Sequence, residues 1–364
     1  MTLDTLVTVV KKTTYPHERM SWELVDLFAE GIPNTPSGNS AWEWPETPTI
    51  IANLESYGYG IVMIKDESKN PTETAKDRPA WEYAKLFRDF SRNLYLRKRA
   101  GELDGNISGI LIPQLSIITA GNAGIALARR FKQHWLPPPN LLVDRAAPQS
   151  IYDGLKGEYA NVFAVDISAR ALTSEDIKQL TNNQGGIDIT SLNIAQPQIE
   201  FYDWFAHEVF NKSPTHIFAP YGSGNLYENL LTWQEITARN AAARKRDRRL
   251  KVDPEKVVAM SILGSEPDNV MSSAAALTKS FAPFTLYHEN DIKGARAFEF
   301  SGLLTGIYQV NEARITEAHE LMSRFCKTGP SGSAGMALYM QMFDNVAVKD
   351  NDRPLIVNTG KGLL

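Results

Sequence analysis

The chain has 364 residues, with 24 glycines, 20 prolines and a formal net charge of −4. At roughly 150 residues per domain this length predicts two domains, and the average glycine and proline content excludes collagen-like and low-complexity proteins. The mild negative charge provides no global field to attract nucleic acid or anionic lipid. The single cysteine, Cys326, excludes an internal disulfide and a cysteine-based metal cluster, which fits a reducing compartment.

The first residues and the apolar runs predict a cytoplasmic protein. An acid, Asp4, lies near the start and the lysines follow the apolar stretch, which is the reverse of a secretory signal. The longest strictly apolar run extends from Met336 to Met340, whereas a membrane helix needs about 20 apolar residues. We therefore expect no membrane partner.

Short apolar runs alternate with amphipathic stretches, which predicts an α/β architecture with a mainly parallel sheet. Two helices, Ala80–Arg99 and Ile315–Cys326, are predicted from apolar residues at helical spacing. Because neither a repeat nor a low-complexity linker separates two blocks, we expect the domains to interleave along the chain. The predicted strands are Gly60–Ile64, Ile107–Ile112, Asn140–Val143, Ala160–Val165, His216–Ala219, Val257–Leu263 and Leu355–Asn358.

The first motif is a polar loop that leaves the Gly60–Ile64 strand and ends at a predicted helix start. Lys76 lies at that start, where the positive end of the helix dipole disfavours an ammonium group and helps to keep an amine nucleophilic. An ordinary surface lysine is the alternative, because Lys65 and Lys69 lie in the same stretch.

The second motif, Thr119–Gly124, runs directly into another predicted helix. Its small residues allow backbone amides to approach an anion, and Asn122 offers both a donor and an acceptor. Two alternatives stay open. One is a tight turn before a buried helix, and the other is a dinucleotide fingerprint that uses Gly121–Gly124 with Asp144, although Ala123 occupies the position of the central glycine.

The third motif, Phe218–Leu226, is a strand, a glycine-rich turn and a helix start. This composition is typical of a phosphate cradle, because glycines admit the oxygens while amides and the Ser223 hydroxyl donate hydrogen bonds. The fourth, Leu355–Leu363, is a strand whose end presents the Thr359 hydroxyl on a glycine-flanked turn. It lacks the spacing of a Walker loop.

Other chemistries have weaker support. The run Arg244–Lys251 contains six basic residues and one acid, which is enough for a phosphate-rich partner. It lacks the aromatic residues that stack on bases, so a solvated face is favoured and no nucleic-acid partner is expected. The chain contains neither His-Glu-x-x-His nor Gly-x-Ser-x-Gly, which excludes zincins and α/β-hydrolases.

Taken in order, the four motifs resemble those of the fold type II (tryptophan synthase β-like) pyridoxal-phosphate (PLP) enzymes, above all threonine synthase and its dehydratase relatives. Asn70–Arg78 resembles the family's Asn-Pro-Thr-Gly-Ser/Thr-Phe-Lys-Asp-Arg segment, and Thr119–Gly124 resembles its Ser-Thr/Ser-Gly-Asn loop. Pro220–Leu226 is similar to Pro-Val-Gly-x-Gly, and Asn358–Leu363 is similar to Thr-Gly-His-Gly-Leu-Lys. Two further segments, Val310–Ile315 and Gly329–Gly335, also resemble the family.

The resemblance implies an α/β fold of two three-layer α/β/α domains with the cofactor, pyridoxal 5'-phosphate, between them. Residues 56–168 would form a small substrate-side domain, and residues 1–55 plus 169–364 a large PLP-binding domain. Lys76 would be the catalytic Schiff-base lysine, Asn122 would contact the phenolic oxygen of the cofactor, and Thr359 its pyridine nitrogen. The implied phosphate-binding residues are Gly222, Ser223, Gly224, Asn225 and Leu226, and the implied substrate-carboxylate residues are Thr119, Ala120, Gly121 and Ala123.

The implied activity is β- or γ-elimination or replacement on a small amino acid by a cytoplasmic, homodimeric lyase without a metal. The lysine freed from the cofactor is then the base that moves the Cα proton. A neutral hydroxyl at the pyridine nitrogen favours elimination or replacement over transamination.

Four residues depart from the family pattern. Glu73 replaces a glycine, Ala75 a phenylalanine, Ala120 a hydroxyl residue and Lys361 a histidine. A carboxylate at position 73 is expected to repel a phosphorylated amino acid. The departures also leave a second hypothesis open, in which the chain is a non-catalytic descendant that acts as a ligand-binding or protein-binding module.

Overall fold

The computed structural model describes residues 7–13, 46–102, 114–167, 172–181, 187–188, 201–234, 261–269, 272–274, 277, 306–349 and 351–362. The chain forms two compact units. The first comprises Met1–Pro45, Lys76–Pro197 and Leu363–Leu364, and the second comprises Glu46–Ala75 and Gln198–Gly362. The predicted division at residues 56 and 168 stays a prediction. The predicted strand Ile107–Ile112 and the basic run Arg244–Lys251 lie outside the described residues.

Strands and helices alternate along both units. In chain order the described strands are β1 (Val7–Lys11), β2 (Thr49–Asn53), β3 (Ile61–Asp66), β4 (Leu115–Ile118), β5 (Asn140–Asp144), β6 (Asn161–Val165), β7 (Ile187–Asp188), β8 (His216–Pro220), β9 (Ser261–Pro267), β10 (Gly306–Val310) and β11 (Pro354–Asn358). The helices are α1 (Asp77–Arg99), α2 (Asn122–Gln133), α3 (Gln149–Lys156), α4 (Ser174–Leu180), α5 (Asp203–Phe210), α6 (Glu312–Met322) and α7 (Pro330–Asp344), and residues 225–234 are also helical.

The first unit contains a sheet with the strand order β1-β6-β5-β4-β7. β1 pairs antiparallel with β6, and the other described pairs are parallel. Helices α1 and α2 pack together through the rings of Phe87 and Phe131, whose centroids lie 5.6 Å apart. The parallel strands β4, β5 and β6 are buried, as expected when helices cover a sheet.

The second unit contains a sheet with the order β10-β9-β8-β11-β3-β2, in which β2 is antiparallel and the other described strands are parallel. Successive residues of its central strands enter opposite cores. Phe218 and Ile356 pack with the buried residues of α6 and α7. Ile217 and Leu355 pack on the other face with α5 and the 225–234 helix. This unit therefore has three layers, α/β/α.

Element ends differ from the predictions for identifiable reasons. α1 begins at Asp77 rather than Ala80, because Pro79 lies in its first turn, where a missing N–H leaves no intrahelical bond unmade. α6 begins at Glu312 because the Asn311 side chain accepts a hydrogen bond from the Arg314 N–H at 2.9 Å. No helix among the described residues is both long and apolar enough to cross a bilayer.

Candidate functional site

In both units the candidate residues follow the carboxyl ends of parallel strands. In the second unit the chain passes from β8 outward to β9 and β10 and then returns to β11 on the other side of β8. In the first unit it passes from β4 to β5 and β6 and then returns to β7 on the other side of β4. Ligands of open α/β sheets bind at such reversals of strand order. The segments that follow β8, β11 and β4 are those that contain Gly222–Leu226, Thr359 and Asn122.

The residues just before Lys76 pair with the turn that follows β11. The Ala75 N–H donates to the Thr359 carbonyl at 3.0 Å, and the Lys361 N–H donates to the Glu73 carbonyl at 3.0 Å. Gly360 forms an antiparallel bridge with Thr74. Lys76 is half-buried and lies directly before α1, and its carbonyl accepts the Ala80 N–H at 3.2 Å. The prediction that Lys76 lies at a helix start is confirmed.

A buried polar network supports the loop that leads to Lys76. The side chain of Asn70 donates to a Glu67 carboxylate oxygen at 2.8 Å and to the Thr74 carbonyl at 3.2 Å. The fully buried Lys65 ammonium contacts Glu208 at 2.6 Å, and Thr47 donates to Glu67 at 2.5 Å. Because buried charges are stable only when paired, this network holds the Asn-Pro-Thr loop in one shape.

The segment Tyr221–Gly224 is a short turn between β8 and the helix that begins at Asn225, and the Tyr221 N–H donates to the Ser265 carbonyl at 2.8 Å. Within the described part of the chain, the N–H groups of Gly222 and Ser223 donate to no protein acceptor. Gly224 has a φ of +85°, which L-residues rarely adopt. Unengaged amides at a helix N-terminus suit an anion such as a phosphate.

The Thr119–Gly124 loop is shaped by its own threonine. The Thr119 hydroxyl oxygen accepts the N–H groups of Gly121 and Gly124, both at 3.0 Å, and Thr119 is buried. α2 begins at Asn122, so the N–H groups of its first turn have no intrahelical acceptor. Asn122 and Ala123 therefore lie at a helix start, and the buried Thr119 side chain stabilises the turn that precedes them.

The structure changes the electrostatic role expected for Glu73. Its carboxylate forms an ion pair with Lys327 at 2.5 Å. The pKa of Glu73 is lowered mainly by the Lys327 hydrogen bond, with further contributions from Lys361 and Lys69. Glu73 also has a φ of +60°, a left-handed conformation that favours glycine. The sequence predicted that an isolated Glu73 carboxylate would repel a phosphorylated ligand. Because Lys327 neutralises this carboxylate, the expected repulsion is weaker.

Sequence reasoning assigned no role to Asn358, which lies at the end of β11 and is fully buried. Its side chain donates to Asp66 at 2.9 Å and to the Lys327 carbonyl at 2.9 Å, and it accepts the Gly360 N–H at 3.0 Å. The Cys326 sulfur is another contact, at 3.3 Å. Burial, with a smaller contribution from Asp66, raises the pKa of Cys326 to about 12, so the thiol stays protonated. A polar residue ending an otherwise apolar strand was the available sequence signal.

No family model and no curated protein sequence matches the chain. Solved structures do match its fold. Diaminopropionate ammonia lyase of Escherichia coli has 15% identity and a TM-score of 0.57 over 98% of this chain and 92% of that one. Threonine deaminase isoform 2 of Solanum lycopersicum has 15% identity and a TM-score of 0.56 over 97% and 92%. An O-ureido-L-serine synthase has 14% identity and a TM-score of 0.58 over 86% and 89%.

These structures are tryptophan synthase β-like, PLP-dependent enzymes. The chain has the fold of this class, fold type II, and the predicted fold class is confirmed. The class of enzyme predicted from the sequence motifs is therefore the class whose fold the chain adopts.

Proposed function

We propose that this chain is a PLP-dependent enzyme that catalyses β- or γ-elimination or replacement on a small amino acid. The pairing of residues 73–75 with residues 359–361 carries the proposal, because it sets Thr359 against the residue that precedes Lys76. The fold adds support, since structures that share it include an O-ureido-L-serine synthase, a diaminopropionate ammonia lyase and a threonine deaminase.

The residues present fit the cofactor. The N–H groups of Gly222 and Ser223, which donate to no acceptor within the described residues, suit a phosphate dianion at the start of the 225–234 helix. Gly224, Asn225 and Leu226, together with the Ser223 hydroxyl, would complete this phosphate cradle. The Thr359 hydroxyl would face the pyridine nitrogen, Asn122 the phenolic oxygen, and Lys76 would hold the cofactor covalently. The substrate carboxylate would bind the Ala120, Gly121 and Ala123 amides, in a loop held by Thr119.

When bound, the cofactor acts as an electron sink that makes the Cα proton of an amino acid more acidic. The Lys76 Nζ takes that proton and returns it to the leaving group or to the product. Thr359, as a neutral hydroxyl, does not hold the pyridine nitrogen protonated, which favours loss or exchange of a side-chain group over transamination. We propose that the enzyme is a lyase similar to threonine synthase or to serine/threonine dehydratase. We also propose that it is cytoplasmic and homodimeric.

Covalent trapping tests the proposal. Purified protein is mixed with PLP, its visible absorbance is recorded, and it is reduced with borohydride and mapped by peptide mass. We expect the cofactor mass on Lys76. Lys76→Ala should remove that mass and lower turnover by about 10²–10⁴-fold, whereas Lys69→Ala, a more exposed lysine in the same loop, should retain both. Cofactor mass on another lysine, or a colourless protein, would contradict the proposal.

A substrate panel then resolves the reaction. L-Serine, L-threonine, O-phospho-L-serine and O-phospho-L-homoserine are each added to the PLP-loaded protein, followed by assays for keto acid and for threonine. Keto acid indicates a dehydratase, and threonine indicates a synthase. A protein that binds PLP yet turns over no member of the panel favours the non-catalytic binding module.

A further inference from the structure

Asn358 connects three segments at the carboxyl end of β11, a central strand of the second unit's sheet. Its amide donates to Asp66 at the end of β3 and to the Lys327 carbonyl just before α7. Its oxygen accepts the Gly360 N–H. Asn358 and Asp66 are also register partners in the parallel pairing of β11 with β3. Both are fully buried, so bulk water does not replace these bonds.

The bond to Gly360 shapes the turn that contains Thr359. Gly360 has a φ of +100°, and a Cβ at this position would meet the Glu73 carbonyl oxygen at 2.0 Å. The Asn358 oxygen holds this turn against residues 73–75, where the Thr359 carbonyl accepts the Ala75 N–H. The bond between Gly329 N–H and the Gly360 carbonyl, at 3.1 Å, supports the same turn from the other side.

A rigid aromatic cofactor requires its attachment point and its ring-nitrogen partner at a fixed separation. Under the proposed function these are Lys76 and Thr359, and the Ala75–Thr359 bond joins their main chains. We propose that Asn358 is a positioning residue, which sets Thr359 and Lys76 in register for the cofactor without touching it. This inference rests on the proposed function and gives a role to Asn358, to which the family resemblance assigns none.

Loss of the carboxamide leaves three polar groups without one of their partners: the Gly360 N–H and an Asp66 oxygen, both on buried residues, and the Lys327 carbonyl, which is partly buried. A buried polar group that loses its partner is energetically unfavourable, which favours a shift of the chain that provides a new partner. The turn would therefore move away from residues 73–75. Displacements of about 1 Å at a reacting group are enough to cost about 100-fold in rate.

The test compares Asn358→Leu with Asn140→Leu. Asn140 is also fully buried and bonds through its side chain to Ser116 and Asn161, but it lies at the start of β5, at the amino end of the sheet in the other unit. Both variants should lose stability. We expect Asn358→Leu to weaken PLP binding by about tenfold or more, measured by absorbance titration and by the borohydride-fixed fraction on Lys76. Asn140→Leu should change PLP binding by less than about twofold.

Asn358→Asp provides a second variant with a distinctive pH profile. It keeps the acceptor for the Gly360 N–H but sets a carboxylate against Asp66, with Lys69 4.0 Å from Asp66 and the neutral Cys326 thiol beside it. Two carboxylates in contact share a proton as the pH falls. Relative to wild type at each pH, PLP binding by this variant should recover toward acid, whereas a merely destabilised protein would lose binding there.

The outcomes separate the two proposals. A wild-type protein that fixes no PLP on Lys76 overturns the proposed function and this inference with it. A wild type that binds PLP, together with Asn358→Leu and Asn140→Leu variants that bind it equally well, overturns only the positioning role. An Asn358→Leu variant that does not fold leaves the decision to Asn358→Asp, for which a pH profile parallel to wild type overturns the inference.

Discussion

The loop before α2 and the segment before α1 both follow the carboxyl end of a parallel strand, but they are held in different ways. The first closes on itself, because the Thr119 hydroxyl accepts amides that lie two and five residues further along the chain. The second is held by distant residues. The Asn358 side chain reaches Asp66 across 292 positions, and residues 359–361 pair with residues 73–75.

This difference indicates how each segment keeps its shape. A locally closed loop needs only its own residues and the start of the helix that follows. A segment paired with the chain's last described strand requires the whole second unit to be folded, so its order is tied to global stability. The lysine proposed to hold the cofactor therefore follows the segment with the longer-range support.

The largest loss of stability is expected from Gly360→Ala. Its Cβ would meet the Glu73 carbonyl oxygen at 2.0 Å, and its φ of +100° is unfavourable for alanine. Denaturant unfolding should show a loss of about 2–4 kcal/mol, together with weaker PLP binding. Gly157→Ala is the matched control, because its nearest neighbour atom lies 4.0 Å away at an ordinary φ. Equal stability of the two variants would show that the 359–361 pairing does not constrain the chain.

A smaller loss of stability, confined to the loop before α2, is expected from Thr119→Val. This change preserves shape but removes the acceptor of the Gly121 and Gly124 amides, at a cost of about 1–3 kcal/mol. Thr119→Ser keeps the hydroxyl and should cost about 1 kcal/mol or less. Hydrogen exchange should show faster exchange confined to the two glycine amides. Faster exchange at Ala75 as well would mean that the two segments are not independently held.

The sequence predicted the features that depend on local pattern. Lys76 at a helix start and the strand ending at Asn358 follow from motif and apolar run, and both are present. The sequence alone did not predict contacts between residues that lie far apart along the chain. The partner of Glu73 is Lys327, 254 residues away, and only the fold brings them together. The half-exposed strand β10 and the edge strand β2 were missed because their apolar pattern is weak.

The smallest effect on stability is expected from Glu73→Gln. This variant removes the ion pair with Lys327 but keeps the main-chain pairing of residues 73–75, so it measures the contribution of the ion pair alone. The pKa of Glu73 is lowered in the folded chain from its ordinary value of 4.5, chiefly by the Lys327 hydrogen bond. A lowered carboxyl pKa stabilises the folded state above the ordinary value, and that stabilisation is lost as the pH falls through the lowered pKa. Both side chains are well exposed, so the effect is small.

Thermal melts of wild type and Glu73→Gln should differ slightly at neutral pH and converge in acid, below pH 4.5. High salt should also reduce the difference, because exposed ion pairs are screened. Glu73→Gly and Glu73→Ala both remove the carboxylate, but only glycine relieves the φ of +60°, so Glu73→Gly should be the more stable of the two. If Glu73→Gln instead loses as much stability as Gly360→Ala, the ion pair, rather than the main-chain pairing, holds the segment that precedes Lys76.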